Sequence, residues 1–286
     1  MRACRSGKNG DLNRIPTKNY HLEACTVYRI NIFKLVFIFI SLFITLLLVF
    51  AIVSLFLVPD VQDVWNNLFS EEMRFSLKLS LITGLISTVL VMLFSLPIGY
   101  TLSRFDFIGK GFVKTIIDLP VAFPELVLGL CLLLLFGNTF VGDIFRSVGL
   151  NFVFTKKGVV IAQFFTALPY ASRIMKSTFD YIDPRMEFVS RSLGYSMFET
   201  FMNISLPLAK NGILASTVIA FARCIGTFGT VLILAGGTYM KTEVLPMTLY
   251  LNISYGNMGM ALTSGIVLMV VSFLAIYVFE KAEVGL

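Results

Sequence analysis

Histidine and charge are scarce in this chain. One histidine, His21, in 286 residues excludes a histidine-clustered metal centre and any catalytic pair that needs a buried imidazole. Charged residues make up 14%, against about 25% in a soluble globular domain. That leaves too little polar surface to face water, and it disfavours disorder and a nucleic-acid-binding domain alike. The four cysteines (Cys4, Cys25, Cys131, Cys224) show no C-x-x-C spacing. Two lie in a polar N-terminal stretch and two in apolar runs, so neither a disulfide framework nor a metal site is indicated. The motifs G-x-x-x-x-G-K-[ST], G-x-S-x-G and H-E-x-x-H are missing as well, and with them a nucleotide-binding loop and the common hydrolase sites. What the chain has is apolar bulk: 57% hydrophobic residues, 28 of all residues being Phe. Its expected class is an all-α integral membrane protein.

A helix that crosses about 30 Å of hydrocarbon needs about 20 mostly apolar residues. Six stretches qualify: 35–58, 79–100, 116–136, 158–175, 208–235 and 261–279. The first carries no charge, is too long for a signal peptide and has no small-residue cleavage site after it. Before it lies a polar basic segment, 1–34, with Arg2, Arg5, Lys8, Arg14, Lys18, Arg29 and Lys34. Such a segment reads as a cytoplasmic anchor. With that end inside, the inner segments hold 16 Lys/Arg and the outer ones 6, Arg223 lying within a span. The asymmetry predicts a multi-pass protein of the cell membrane with both termini in the cytoplasm.

The inner connection between spans four and five, 183–207, has a grammar of its own. Asp183-Pro184 is a helix start, a capping Asp followed by Pro at the first helical position. Helix formers follow, with Glu187 and Arg191 at i,i+4 spacing. Gly194 then breaks the helix. A second short amphipathic helix carries Met197, Phe201 and Ile204 on one side, and Leu206-Pro207 is expected to end it and open span five. The result is a helix–Gly–helix elbow, too polar to span and apolar enough to dock. Spacing apart, it could equally be a helix lying on lipid.

The order and spacing of Glu187, Gly194, Ile204, Leu206 and Pro207 resemble the EAA loop of ABC importer permeases, Glu-Ala-Ala, three residues, Gly, nine residues, Ile-x-Leu-Pro, with one residue more between Glu187 and Gly194 than the motif has. Phe188 and Val189 stand where the motif has two alanines. The likeness extends over about 75–280. Asp118-Leu-Pro-Val-Ala-Phe-Pro-Glu-Leu-Val-Leu-Gly129 is similar to the third span of molybdate and sulfate permeases. Ala167-Leu-Pro-Tyr-Ala-Ser-Arg173 is similar to the end of their fourth. Phe221-Ala-Arg223, then Gly226 and Phe228-Gly229, resembles the Phe-Ala-Arg…Gly-Glu-Phe-Gly stretch of their fifth, with Thr227 in the acidic position.

The resemblance implies an ABC permease fold, molybdate-permease-like, with six transmembrane helices: a first helix at 35–58, then a permease domain at 75–280. It implies that Glu187, Arg191, Gly194, Ile204, Leu206 and Pro207 form a coupling helix that docks on a separate ATPase. That ATPase would hold the ATP and Mg, with no cofactor on this chain. The further implied partners are an extracytoplasmic oxyanion-binding protein, a second permease copy (most simply a homodimer) and membrane lipid. The implied function is import of a tetrahedral oxyanion, molybdate or tungstate ahead of sulfate. Leu245-Pro-Met-Thr-Leu-Tyr250 looks more like the first kind, and Lys241-Thr-Glu-Val244 more like the second. A self-sufficient secondary carrier is the rival class. It would show midplane coupling residues and an inverted repeat, and here Arg223 alone qualifies.

Arg223 lies about 22 Å into span five, where an ion must face a partner, a wet cavity or a second subunit. It either lines the anion path or makes a structural pairing, with Glu125 or a span-end carbonyl. Gly226, Thr227 and Gly229 beside it, and Pro124 in span three, are the other candidate pathway or gate residues. Static bending and close helix packing are the alternatives for them.

Overall fold

A computed structural model of the chain describes residues 20–284, which form helices α1 to α14 joined by short connections. The chain separates into two units, 1–57 and 58–286. The described part of the first unit is one helix, α1 (Tyr20–Leu57), so helix begins upstream of the apolar run and inside the segment expected to be a polar tail. The expectations for 1–19 lie outside the described residues. From Ile32 to Leu57 α1 is long and apolar enough to cross a membrane.

The second unit is built on α3 (Glu71–Arg104) and α7 (Lys156–Tyr181), which pack along their lengths with α11 (Lys210–Gly226) against both. Ser70 caps α3 through Met73 N, and Thr155 caps α7 through Gly158 N. The inward face of α3 is small and polar: Ser76, Ser80, Thr83, Gly84, Ser87, Thr88, Ser95 and Gly99 are buried. Its outward face carries Ile82, Leu85, Ile86, Val89, Leu93 and Phe94, all exposed. That is the inverse of a water-soluble helix. It follows from a lipid exterior, where small residues let backbones approach and there is no apolar core to gain. At Gly99 the approach is so close that an added Cβ would stand 2.8 Å from the backbone N of Lys176.

Among the described residues three helices are each long and apolar enough to span, α1, α3 and α14 (Met258–Val284), and two bent pairs bring the number to as many as five. The expected fourth span, 158–175, lies within α7, which is helical over 156–181 and carries Lys156, Lys157, Arg173, Lys176 and Asp180. Much of it is buried by its neighbours, so little apolar surface is needed on it.

Two expected spans are not single helices. The third divides into α4 (Lys110–Ala122) and α5 (Glu125–Gly137), bent by 117° at Phe123-Pro124. Pro124 has no N–H and holds an extended backbone, φ −56° and ψ 139°, so the helix restarts there and does not merely kink. The fifth ends at Gly226 and restarts as α12 (Gly229–Ala235). Thr227 is extended, and no proline is involved. Short helices fill the connections: α2 (Val61–Leu68), α6 (Phe140–Ser147) and α13 (Leu245–Ser254).

Candidate functional site: the elbow and the broken spans

The elbow consists of α8 (Pro184–Ser192), α9 (Met197–Thr200), a π turn (Phe201–Ser205) and α10 (Leu206–Leu208). Asp183 caps α8 by accepting from Arg185 N at 2.9 Å. Gly194 ends it in the left-handed region at φ +97°, where Gly194 N donates to Arg191 O and Tyr195 N to Ser190 O. Ser196 and Glu199 then form a reciprocal capping box. Those hydrogen bonds from Ser196 hold the Glu199 carboxyl below its usual range. The two arms are pinned by the buried hydroxyl pair Ser190–Thr200 at 3.2 Å.

Helix does not stop at Leu206-Pro207. Pro207 cannot donate to the turn before it, and that turn widens into the π form. The chain turns two residues later, at Ala209, where 197–208 meets α11 at 73°.

The widened turn aims Ser205 at Glu187. Glu187 was expected to pair with Arg191, but its carboxylate is turned inward. Oε1 meets Arg104 Nε at 2.9 Å and accepts from Ser205 Oγ at 2.8 Å. Tyr100 Oη donates to Oε2 at 3.4 Å. Arg104 also donates through Nη2 to Ile182 O at 2.8 Å. The Tyr100 ring sits edge-on among Phe105, Phe179 and Phe201. Both charged side chains are nearly buried, 9% exposed for Arg104 and 12% for Glu187. Glu187 thus fastens the elbow to the end of α3, a long-range contact that the spacing of the motif did not disclose.

The outer surface of the elbow carries large apolar side chains among exposed Arg185, Arg191 and Glu199. Phe188, Val189, Leu193 and Phe198 are exposed, and the two residues that replace alanines are among them. A cleft of about 530 Å³ between the arms is lined by Arg185, Met186, Val189, Ile204 and Pro207 among others. Arg191 lies on the other side, in a groove with Phe188 and Met197. Of the six expected coupling residues, then, Ile204 and Pro207 border the cleft, Arg191 the groove, and Gly194 forms the bend. Leu206 lies half-buried in α10, and Glu187, its carboxylate turned to Arg104, lines the same groove as Arg191.

The expected pathway residues gather at the two breaks. Pro124 forms one; Gly226, Thr227 and Gly229 form the other. Arg223 is exposed in the last turn of α11, a favourable place for a cation. Its guanidinium lies over the Tyr170 ring at 4.1 Å. The pairing with Glu125 is not made, because Glu125 bonds to the backbone of Phe228 and Gly229 instead. Arg173, by contrast, ties α7 to α4 through Asp118 at 2.7 Å.

Residues 92–281 match the family described as binding-protein-dependent transport system inner membrane component. The chain is 34% identical over 186 residues to a molybdate/tungstate transport system permease protein of Methanocaldococcus jannaschii, covering 65% of this chain and 72% of that one. It is 29% identical over 265 residues to a probable sulfate transport system permease protein of Chlorokybus atmophyticus, covering 92% and 91%. A chain of the crystal structure of a bacterial alginate ABC transporter shares the fold, with a TM-score of 0.71 at 15% identity over 92% of this chain and 96% of that one. The chain belongs to the binding-protein-dependent inner membrane components, the permease subunits of ABC importers.

Proposed function

We propose that this permease carries molybdate or tungstate across the cell membrane, drawing on a partner ATPase and an external binding protein. The observation that carries the choice of cargo is the 34% identity to a molybdate/tungstate permease. Sulfate is the second reading, favoured by the sulfate relative that is covered almost end to end. Six spans would result if each bent pair crosses once and α7, shielded by its neighbours, crosses with them. The excess of Lys/Arg on one side supports cytoplasmic termini. Two copies would enclose one path, with Arg223 and Gly226 on surfaces left open within one chain.

On this reading the elbow, 183–207, sits in a cleft of the ATPase. When ATP draws two ATPase subunits together, the elbows move with them. Glu187 passes that movement to α3 through Arg104, and the hinge at Ala209 passes it to α11. The permease itself makes and breaks no covalent bond.

The test is uptake by proteoliposomes holding the permease, its ATPase and its binding protein. Molybdate and tungstate are expected to be taken up with ATP inside and to compete with each other, sulfate weakly. Uptake of sulfate alone would replace the cargo. Uptake independent of ATP would replace the class of machine.

A further inference from the structure

The two interrupted spans break against one another. α5 starts at Glu125 and α12 at Gly229, and the start of one is packed on the start of the other: a Cβ on Gly229 would lie 2.9 Å from Glu125 Cβ. A few residues along, a Cβ on Gly129 would lie 2.9 Å from Ile233 Cβ. A helix that restarts within an apolar span has first-turn N–H groups that water does not satisfy. The N-cap position of α12 is held by Phe228, whose side chain has no acceptor to offer. One residue earlier, the Thr227 hydroxyl donates to Arg223 O at 2.7 Å. The donors are met from the other span: Glu125 Oε2 accepts from Gly229 N at 2.9 Å and from Phe228 N at 3.2 Å. The same residue's carbonyl accepts from Thr230 Oγ1 at 3.1 Å, and Thr166 of α7 donates to that hydroxyl at 3.2 Å.

We propose that Glu125 is a positioning residue that caps α12 from the neighbouring span and so latches the two interrupted spans into one moving unit. A cap carried at position 227 would travel with α12 wherever it went. A cap carried by α5 holds only while the two stay together. Separating them would leave a carboxylate and two backbone donors unpaired in a medium of low dielectric, which opposes the separation. The acid at this break comes from α5, and the link between spans is the consequence. The inference rests on the transporter reading only for its uptake readout.

The test uses the complete permease–ATPase complex in lipid nanodiscs and in proteoliposomes. Cys4, Cys25 and Cys131 are replaced by serine, and spin labels are placed at Leu130→Cys and Tyr239→Cys, both exposed positions. With the doubly labelled permease diluted into unlabelled copies, so that distances within one subunit are read, the expected result is a single narrow distribution, equally narrow with and without trapped nucleotide. Glu125→Ala is expected to broaden it and to lower uptake at least tenfold while ATP hydrolysis continues. Adding Thr227→Glu to that variant supplies a cap in the same span and is expected to leave the distribution broad. Thr230→Val removes the weaker link at nearly constant volume and is expected to broaden the distribution less. It carries the test if the alanine variant is not recovered from membranes. An unchanged distribution in Glu125→Ala, or in Thr230→Val where that variant stands alone, would overturn the latch, as would full rescue of uptake by Thr227→Glu. Absence of uptake by the unmutated complex would count against the transporter reading and leave the distance result standing.

Discussion

Arg104 and Glu187, 83 residues apart, meet in a nearly buried ion pair of 2.9 Å at the root of the elbow. One closes a membrane helix and the other opens the segment expected to couple to ATP hydrolysis. Any force on the elbow reaches α3 through this contact as well as along the chain.

Removing one partner of such a pair leaves a buried charge and costs about 3–5 kcal/mol. Arg104→Gln and Glu187→Gln are each expected to lower the thermal midpoint in detergent and to reduce transport per ATP hydrolysed. The exchange Arg104→Glu with Glu187→Arg is expected to recover part of both. If uptake and ATP hydrolysis stay coupled in either single variant, the pair does not transmit the movement.

Gly194 holds φ +97° with open space around it, so a substitution meets backbone strain without a clash. Gly194→Ala is expected to cost about 1–3 kcal/mol of local stability and to weaken retention of the ATPase. Gly194→Asp is expected to abolish both retention and ATP-driven uptake while the protein still inserts in the membrane. Undiminished co-purification of the ATPase with the Asp variant would contradict this.

Glu243 is fully buried in the loop between α12 and α13, with Oε2 bonded to Met240 N and Oε1 without a hydrogen-bond partner. Burial pushes its carboxyl above the usual range, and the neighbouring Glu72 carboxylate adds to that. The folded state therefore holds this proton more tightly than the unfolded chain does. The stability it contributes is present below the ordinary carboxyl range, about pH 4.3, and is lost as pH rises through the raised value. The thermal midpoint is expected to decline over that interval, and Glu243→Gln to flatten the decline. An identical pH profile in the Gln variant would rule this group out as its source.

Gly99 lets α3 reach the backbone of α7. Gly99→Val has no room to relax there, since the obstructing atoms are main chain of Met175 and Lys176 and the Met175 Cβ fixed to it. Overpacking of this kind costs about 1–3 kcal/mol or more. Reduced recovery from membranes and a lower thermal midpoint are the expected outcome, and wild-type behaviour would mean that the two helices can separate freely.

The parts of the molecule legible in the sequence are those set by neighbours in the chain. Asp183-Pro184 and Gly194 define the elbow through caps and a positive φ, which a few consecutive residues determine. The apolar runs gave the principal membrane helices for the same reason. What escaped depends on distant partners. Glu187 had Arg191 four residues away, but the buried Arg104 won because it lies at the end of α3 and brings Ile182 O with it. Pro124 was legible as a bend, not as a 117° break. The break at Thr227 carried no proline at all, and its stabiliser, Glu125, lies in another span. α7 looked like an ordinary span, although its polar residues are tolerable only because neighbouring helices bury much of it.

The account stands or falls on whether this permease is driven through its elbow. The most direct measurement purifies the tagged chain from its own host in mild detergent and identifies by mass spectrometry what accompanies it, beside a Gly194→Asp control. An ATPase subunit that is retained by the unmutated chain and lost from the control is the expected result. A chain that reproducibly purifies without any ATPase, yet still moves oxyanion in vesicles, would contradict it.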